Sequence, residues 1–323
     1  MSKSPLIIIQ DGAVDEFMSI ALAVSFPDVD LVSVVVVNGD CVGQPTVEVT
    51  QKLLAKLDQT QTGVYLSDAR AVNAFPWAFR ESCLICNLLP LLNVNAAGSS
   101  LDYSAVKVTQ DDLVAQVSKA AADSDEQVTL LVLSPLTPVA TALEDPNFKA
   151  LVKEVVWMGG AYPPSSGNVS PGTAPGSNPN AEWNAYWDPF AVETVFASGL
   201  NITMFPLNVT DLVPFGPQWI LDNLVPESQQ YPILDLAAQM YATVAFQPGF
   251  SFWDTVTTAY LGKPDLFTFQ EMKLSIDTSI ETSEQGSITV DTVNGYTVNV
   301  AQTVDTDDFY NYYLSQLKLL PFQ

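Results

Sequence analysis

Residues 6–17 read Leu-Ile-Ile-Ile-Gln-Asp-Gly-Ala-Val-Asp-Glu-Phe, and this stretch decides the fold. The apolar, β-branched run from Leu6 to Ile9 predicts a short strand buried on both faces. Gln10-Asp11-Gly12 ends it, and Gly12 lets the chain turn tightly. Phe17, Ile20, Ala21 and Val24 then follow a helical spacing. A second buried strand is expected over residues 31–37 (LVSVVVV), ending at Asn38-Gly39-Asp40, and a second helix over residues 47–57. Strand, acidic turn, helix, strand is the βαβ rhythm of a parallel sheet.

The rhythm continues outward. A helix is expected over residues 111–122, and strands over 128–133, 155–158 and 202–206. Asp11, Asp40, Leu133 and Met158 therefore all fall where strands end. Open α/β sheets bind ligands in the crevice beyond the carboxyl ends of their strands. Two stretches break the pattern. Residues 162–180 are rich in Pro, Gly, Ser and Asn and read as a lid-like loop. Residues 267–304 read as late antiparallel strands with a turn at Val293-Asn294-Gly295-Tyr296, before a closing helix over 307–319. With no repeat and no linker, residues 1–323 are expected to form one α/β domain.

Composition narrows the chemistry. The chain is 48% hydrophobic, enough for a large core, and carries 12 Lys and Arg against 36 Asp and Glu, a net charge of −24. That field repels phosphate backbones and anionic membrane surfaces. No histidine is present, which excludes Ser-His-Asp and Cys-His catalysis and His-ligated zinc. Carboxylates and carbonyls remain, and these suit Ca²⁺ or Mg²⁺. The three cysteines, Cys41, Cys83 and Cys86, are expected to be buried thiols. The spacing of Cys83 and Cys86 does not by itself specify zinc or redox work. No apolar run is long enough for a membrane span or a signal-peptide core, so an intracellular, cytoplasmic protein is the default expectation.

Three segments carry the polar groups of interest. Asp11, Asp15 and Glu16 cluster at the first strand end, and Asp254 follows an apolar approach in Phe250 to Thr255. Taken alone, the first three also fit a helix start, where carboxylates are favoured. Several acids in one cleft repel unless a cation lies between them. Glu182 and Asn184 stand among Trp183, Tyr186 and Trp187, either walling a pocket or forming an aromatic core segment.

The chain resembles the inosine-uridine family of nucleoside hydrolases, most closely its purine-preferring, inosine-adenosine-guanosine branch. That family opens with Asp-x-Asp-(Pro/Gly)-x-x-Asp-Asp after its first strand, and here the stretch runs from Ile9 to Glu16. Further matches follow in order. They are Asn38 to Cys41, Asn73-Ala74-Phe75-Pro76, Val132 to Leu136, Val152 to Val155, Met158-Gly159-Gly160-Ala161, Gly167-Asn168-Val169, Ala181 to Pro189 and Trp253-Asp254. The resemblance implies a single α/β domain with a mostly parallel sheet and helices on both faces. It implies a Ca²⁺ site built from Asp11, Glu16, the Leu133 backbone carbonyl and Asp254, completed by water and the ribose hydroxyls. Asp11 would be the general base that activates the attacking water. Asp15, Asn168, Glu182 and Asn184 would hold the ribose, and Asp40 would meet the base edge. The purine would stack on Trp253 and on an aromatic at Phe79, with Trp77 close enough to compete. The reaction implied is hydrolysis of purine ribonucleosides to ribose and free base, as in purine salvage, by a homo-oligomer (dimer or tetramer). Three positions depart from the pattern: Ile9 replaces the first Asp, Glu16 the last, and Pro138 a usual Asn. These departures leave open a non-catalytic homologue with a structural, assembly or binding role.

Overall fold

β1 (Ser4–Gln10) is buried on both faces because its side chains alternate between two apolar layers. Leu6 and Ile8 join one core with the helix Val14–Val24, and Ile7 and Ile9 join the other with Val117, Val132 and Trp157. A computed structural model describes residues 3–73, 75, 80–169, 178–247, 249–280 and 282–322. The remaining strands are β2 (Val29–Val36), β3 (Gly63–Leu66), β4 (Val128–Leu133), β5 (Val152–Met158), β6 (Ile202–Phe205), β7 (Phe267–Ile276), β8 (Ile288–Val290) and β9 (Tyr296–Val304).

Among the described residues these make one nine-stranded sheet in the order β3-β2-β1-β4-β5-β6-β9-β7-β8. Pairing is parallel from β3 through to β9, and antiparallel at β9–β7 and β7–β8. The chain is thus a single α/β domain with a mostly parallel sheet and a helical layer on each face. The late strands do not form a separate hairpin layer. β9 docks parallel to β6 through Thr203↔Asn299 and Met204↔Val300, and so extends the main sheet. The expected helix over 111–122 starts at Leu113, because the Asp112 side chain accepts the Ala115 N–H and caps it. The closing helix is Thr306–Leu317, capped in the same way by Asp305.

Strand order reverses at β1. β2 and β3 lie on one side and β4 on the other, so the β1/β4 boundary is the switch point where a crevice opens. Gln10 pairs with Leu133 there, which brings Asp11 and the end of β4 together. The helix Trp253–Gly262 packs against the helix Val14–Val24 and carries Asp254 to the same place.

The cysteines correct the sequence expectation. Cys41 and Cys83 form a disulfide, and Cys86 alone is a buried thiol, pushed up to about 12 by its burial. Disulfides are rare in reducing compartments, so this pair is at odds with the intracellular default. Among the described residues no helix is long and apolar enough to cross a membrane. The bridge spans a sequence separation of 42, for which loop-closure entropy gives about 4 kcal/mol. Cys83→Ser is therefore expected to lower the guanidinium midpoint clearly. An unchanged midpoint, in the variant and in wild type with reductant, would contradict a stabilising bridge.

Candidate functional site

A cleft of about 740 Å³ opens beyond the carboxyl ends of β1, β4 and β5. Asp11, Asp15, Glu16, Asp40, Leu133, Asn168, Glu182, Asn184, Trp253 and Asp254 all line it. Phe79 and the competing Trp77 lie outside the described residues, as does the 170–177 portion of the lid-like loop.

The floor is acidic. Asp15, Glu16 and Asp254 each offer a carboxylate oxygen, and the three oxygens lie within 4.8 Å of one another. They come from residues 239 apart in sequence, and the Asp254 N–H donates to Asp15 Oδ2 at 2.9 Å. Asp11 reaches the group from the end of β1. The packing there is close: a Cβ on Gly39 would overlap the Asp11 carboxylate, so Gly39 clears space for it. Gly12 turns the chain at φ +99, a left-handed conformation that glycine alone adopts without strain. Asp15 and Glu16 sit in the first turn of the helix Val14–Val24, whose N-terminal dipole favours negative charge.

Burial raises every carboxyl on this floor. Asp11 is pushed up to about 6, against the pull of a hydrogen bond with Glu16. Glu16 stands well above its ordinary range, from burial first and then from the charges of Asp254 and Asp11. Asp254 does so from burial and the Asp15 charge, and Asp15 is also raised by burial. Four oxygens here, Asp11 Oδ2, Asp15 Oδ1, Glu16 Oε2 and Asp254 Oδ1, are buried without a hydrogen-bond partner among the described residues. Buried carboxylate oxygens left unpaired are costly. An oxygen-seeking divalent cation would offset the charge of this cluster and pair with oxygens of it, so the residues present fit such an ion. Ile9 does not disturb this arrangement. It pairs with Val35 and Val132 and lies fully in the apolar layer, away from the floor.

One side wall is built from the segment 182–187. Glu182 caps the helix Trp183–Trp187, accepting the N–H groups of Asn184 (2.8 Å) and Ala185 (3.1 Å), and also that of Gly160 (2.7 Å). Its carboxyl is pushed up to about 7 because burial outweighs those bonds. Asn184 Nδ2 donates to the Met158 carbonyl at 3.1 Å, which fixes its amide, and Asn168 Oδ1 accepts the Trp183 N–H at 3.1 Å. Trp183 and Trp187 face the cleft, but Tyr186 does not. It is buried with Val169 and Ala181 against the Trp183 ring, so it is core and not wall.

The structure adds residues that the site assignment lacked. Phe75 sits edge-on to Trp183 (4.7 Å) and Trp187 (4.8 Å) and extends the aromatic wall. The Phe250 ring packs beside that of Trp253 at 4.5 Å, and Ser82, Val244 and Gln247 complete the rim. Asp40 stands half-buried at this rim, raised well above its ordinary range by burial and by the charges of Asp11 and Asp15. Arg80 presents a cation that acts on Asp11 and Asp40 and lies 5.8 Å over the Phe75 ring. The sequence offered a signal only for Phe75, through its place in the Asn73-Ala74-Phe75-Pro76 stretch.

Residues 6–311 match the family described as inosine-uridine preferring nucleoside hydrolase. A non-specific ribonucleoside hydrolase, RihC of Escherichia coli K12, is 27% identical over 311 residues, covering 94% of each chain. The crystal structure of an inosine-uridine preferring nucleoside hydrolase from Bacillus anthracis superposes with a TM-score of 0.86 at 30% identity, covering 98% of this chain and 99% of that one. A purine-preferring ribonucleoside hydrolase from Gardnerella vaginalis shares the fold, with a TM-score of 0.77 at 22% identity over 98% of each chain.

Proposed function

The chain belongs to the inosine-uridine preferring nucleoside hydrolase family, hydrolases of N-glycosyl compounds, and we propose that it is a Ca²⁺-dependent N-ribohydrolase of purine ribonucleosides, releasing ribose and free base. The observation that carries this reading is the set of four unpartnered, buried carboxylate oxygens on Asp11, Asp15, Glu16 and Asp254. Asp11, Glu16, Asp254 and the Leu133 carbonyl would hold the ion. Calcium, when bound, supplies positive charge that orients sugar hydroxyls and eases loss of a proton from water.

The chain's own residues do the rest. Asp11 takes the proton of the attacking water; a buried carboxyl with a raised value is a stronger base than an exposed one. Asp15, Asn168, Glu182 and Asn184 hold the ribose. Glu182 and Asn184 are already fixed by backbone bonds, so they need little reorganisation when sugar arrives. The concentrated negative field stabilises the positive charge that builds on the sugar as the glycosidic bond breaks. The base stacks on Trp253, with its edge toward Asp40. The partners are a purine ribonucleoside and further copies of this chain, as a dimer or tetramer.

Two measurements check parts of this reading. Glu16→Asp should keep or raise Ca²⁺ affinity in calorimetric titration, because it restores the family's residue. A large loss would mean the floor is fitted to the longer side chain. Trp253→Ala should slow purine ribosides more than pyrimidine ones, since stacking contributes roughly 1–3 kcal/mol per base, or about 5- to 150-fold. Equal losses on inosine and uridine would contradict base stacking at Trp253.

A further inference from the structure

Trp187 lines the cleft, yet it is only 3% exposed. Among the described residues its indole Nε1–H has no hydrogen-bond partner. Among the described residues lining the cleft, it is the one buried side-chain donor left without an acceptor. The other unpartnered atoms there are the carboxylate oxygens of the floor, which call for a cation and not for an N–H. The indole is held firmly. Phe75 meets it edge-on at 4.8 Å and 64°, and Trp183 lies tilted at 5.9 Å. The Trp187 carbonyl accepts the Asn73 N–H at 2.9 Å, and Asn73 Nδ2 donates to the Tyr186 carbonyl at 2.6 Å, which pins the end of this helix to the segment carrying Phe75. The same short helix presents Glu182 and Asn184, so the indole keeps a fixed offset from the groups assigned to the ribose.

We propose that the Trp187 Nε1–H is a leaving-group hydrogen-bond donor, aimed at an acceptor atom of the departing base (a ring nitrogen or the exocyclic carbonyl oxygen). This rests on the hydrolase reading above. The chemistry of the chain asks for such a group, because no histidine is available to donate to the base. As water attacks the anomeric carbon, its proton goes to Asp11 and the electron pair of the N-glycosidic bond moves onto the base. Negative charge then builds on the base's acceptor atoms. An oriented N–H bonds that charge more strongly than it bonds the neutral base, so it favours the transition state. The indole keeps its proton throughout, and the departing base takes its proton from solvent water.

The test compares two leaving groups. Inosine needs help to release its base, whereas p-nitrophenyl β-D-ribofuranoside releases a phenolate that needs none. Trp187→Phe removes the N–H and keeps an aromatic ring against Phe75 and Trp183. It should lower kcat/KM for inosine roughly 10- to 100-fold, and for the p-nitrophenyl riboside less than about threefold. Equal losses on both substrates, or no loss on inosine, would overturn the proposal. Phe75→Leu loosens the same wall while leaving the N–H, so it should slow both substrates together. If it reproduced the selective loss, the proposal would fall. Unmodified protein gives a second check should Trp187→Phe fold poorly. Among 3-deaza, 7-deaza and 6-unsubstituted purine ribosides, one should show a kcat/KM at least tenfold below that of inosine. A kcat/KM for all three equal to that of inosine overturns the proposal. Wild-type protein that cleaves neither inosine nor the p-nitrophenyl riboside with Ca²⁺ present would overturn the hydrolase reading itself, a failure distinct from the others.

Discussion

Asp11→Ala should abolish measurable turnover while leaving the protein folded, with a loss of at least the 10²- to 10⁴-fold that a general base contributes. Asp11 is 2% exposed at the switch point of the sheet, within reach of Glu16, and Gly39 leaves room for its carboxylate. Its proposed work is double, as base and as cation ligand, so neither Ala nor Asn substitutes for it. Folding should survive because the calcium-free floor is crowded with like charges, and removing one relieves repulsion on the others. Near-normal ribose release by a folded Asp11→Ala protein would remove Asp11 from the mechanism. An unfolded variant would show instead that Asp11 holds the β1 turn together.

The calcium-free protein should be more stable near pH 5 than near pH 7.5, and added Ca²⁺ should reverse much of that difference. Glu182 is raised by burial from an ordinary 4.5 to about 7, and Asp11 from 3.8 to about 6. Between the ordinary and the raised value the folded protein holds a proton that the unfolded chain has released. Stability therefore falls as pH rises through roughly 4.5 to 7. A shift of the size seen at Glu182 corresponds to a contribution of order 3 kcal/mol. Asp15, Glu16, Asp40 and Asp254 are raised as well and act in the same direction. Glu182→Gln should flatten part of the slope. Denaturant melts of chelated protein that are flat or rise from pH 5 to 7.5 would contradict this electrostatic picture.

Much of the architecture was legible because its signals are local. Buried strands such as Val128–Leu133 are continuous apolar runs, and the acids that end them sit within a few residues. β3 was missed because Gly63–Leu66 is too short to show a period, and it is recognised only by its pairing with β2. The parallel docking of β9 on β6 is a tertiary event between distant segments that no local pattern encodes. The site divides in the same way. Asp11, Asp15 and Glu16 announce themselves as a cluster, whereas Asp254 offers only an apolar approach before an acid, and helix packing is what brings it to them across 239 residues. The disulfide escaped because an odd cysteine count says nothing of which two thiols lie 6.0 Å apart at their Cα atoms. Tyr186 was grouped with its aromatic neighbours by adjacency, whereas it is buried beneath Trp183 against Val169 and Ala181 and does not reach the cleft.

The central claim is a calcium-dependent hydrolysis of purine ribosides at the acidic floor. Ribose released from inosine, adenosine, guanosine and uridine by purified protein, with Ca²⁺ and again after chelation, tests it most directly. Release is expected from the purine ribosides with Ca²⁺, less from uridine, and none after chelation until Ca²⁺ is restored. Folded protein that releases no ribose with Ca²⁺ present, or that works equally well after chelation, would contradict it.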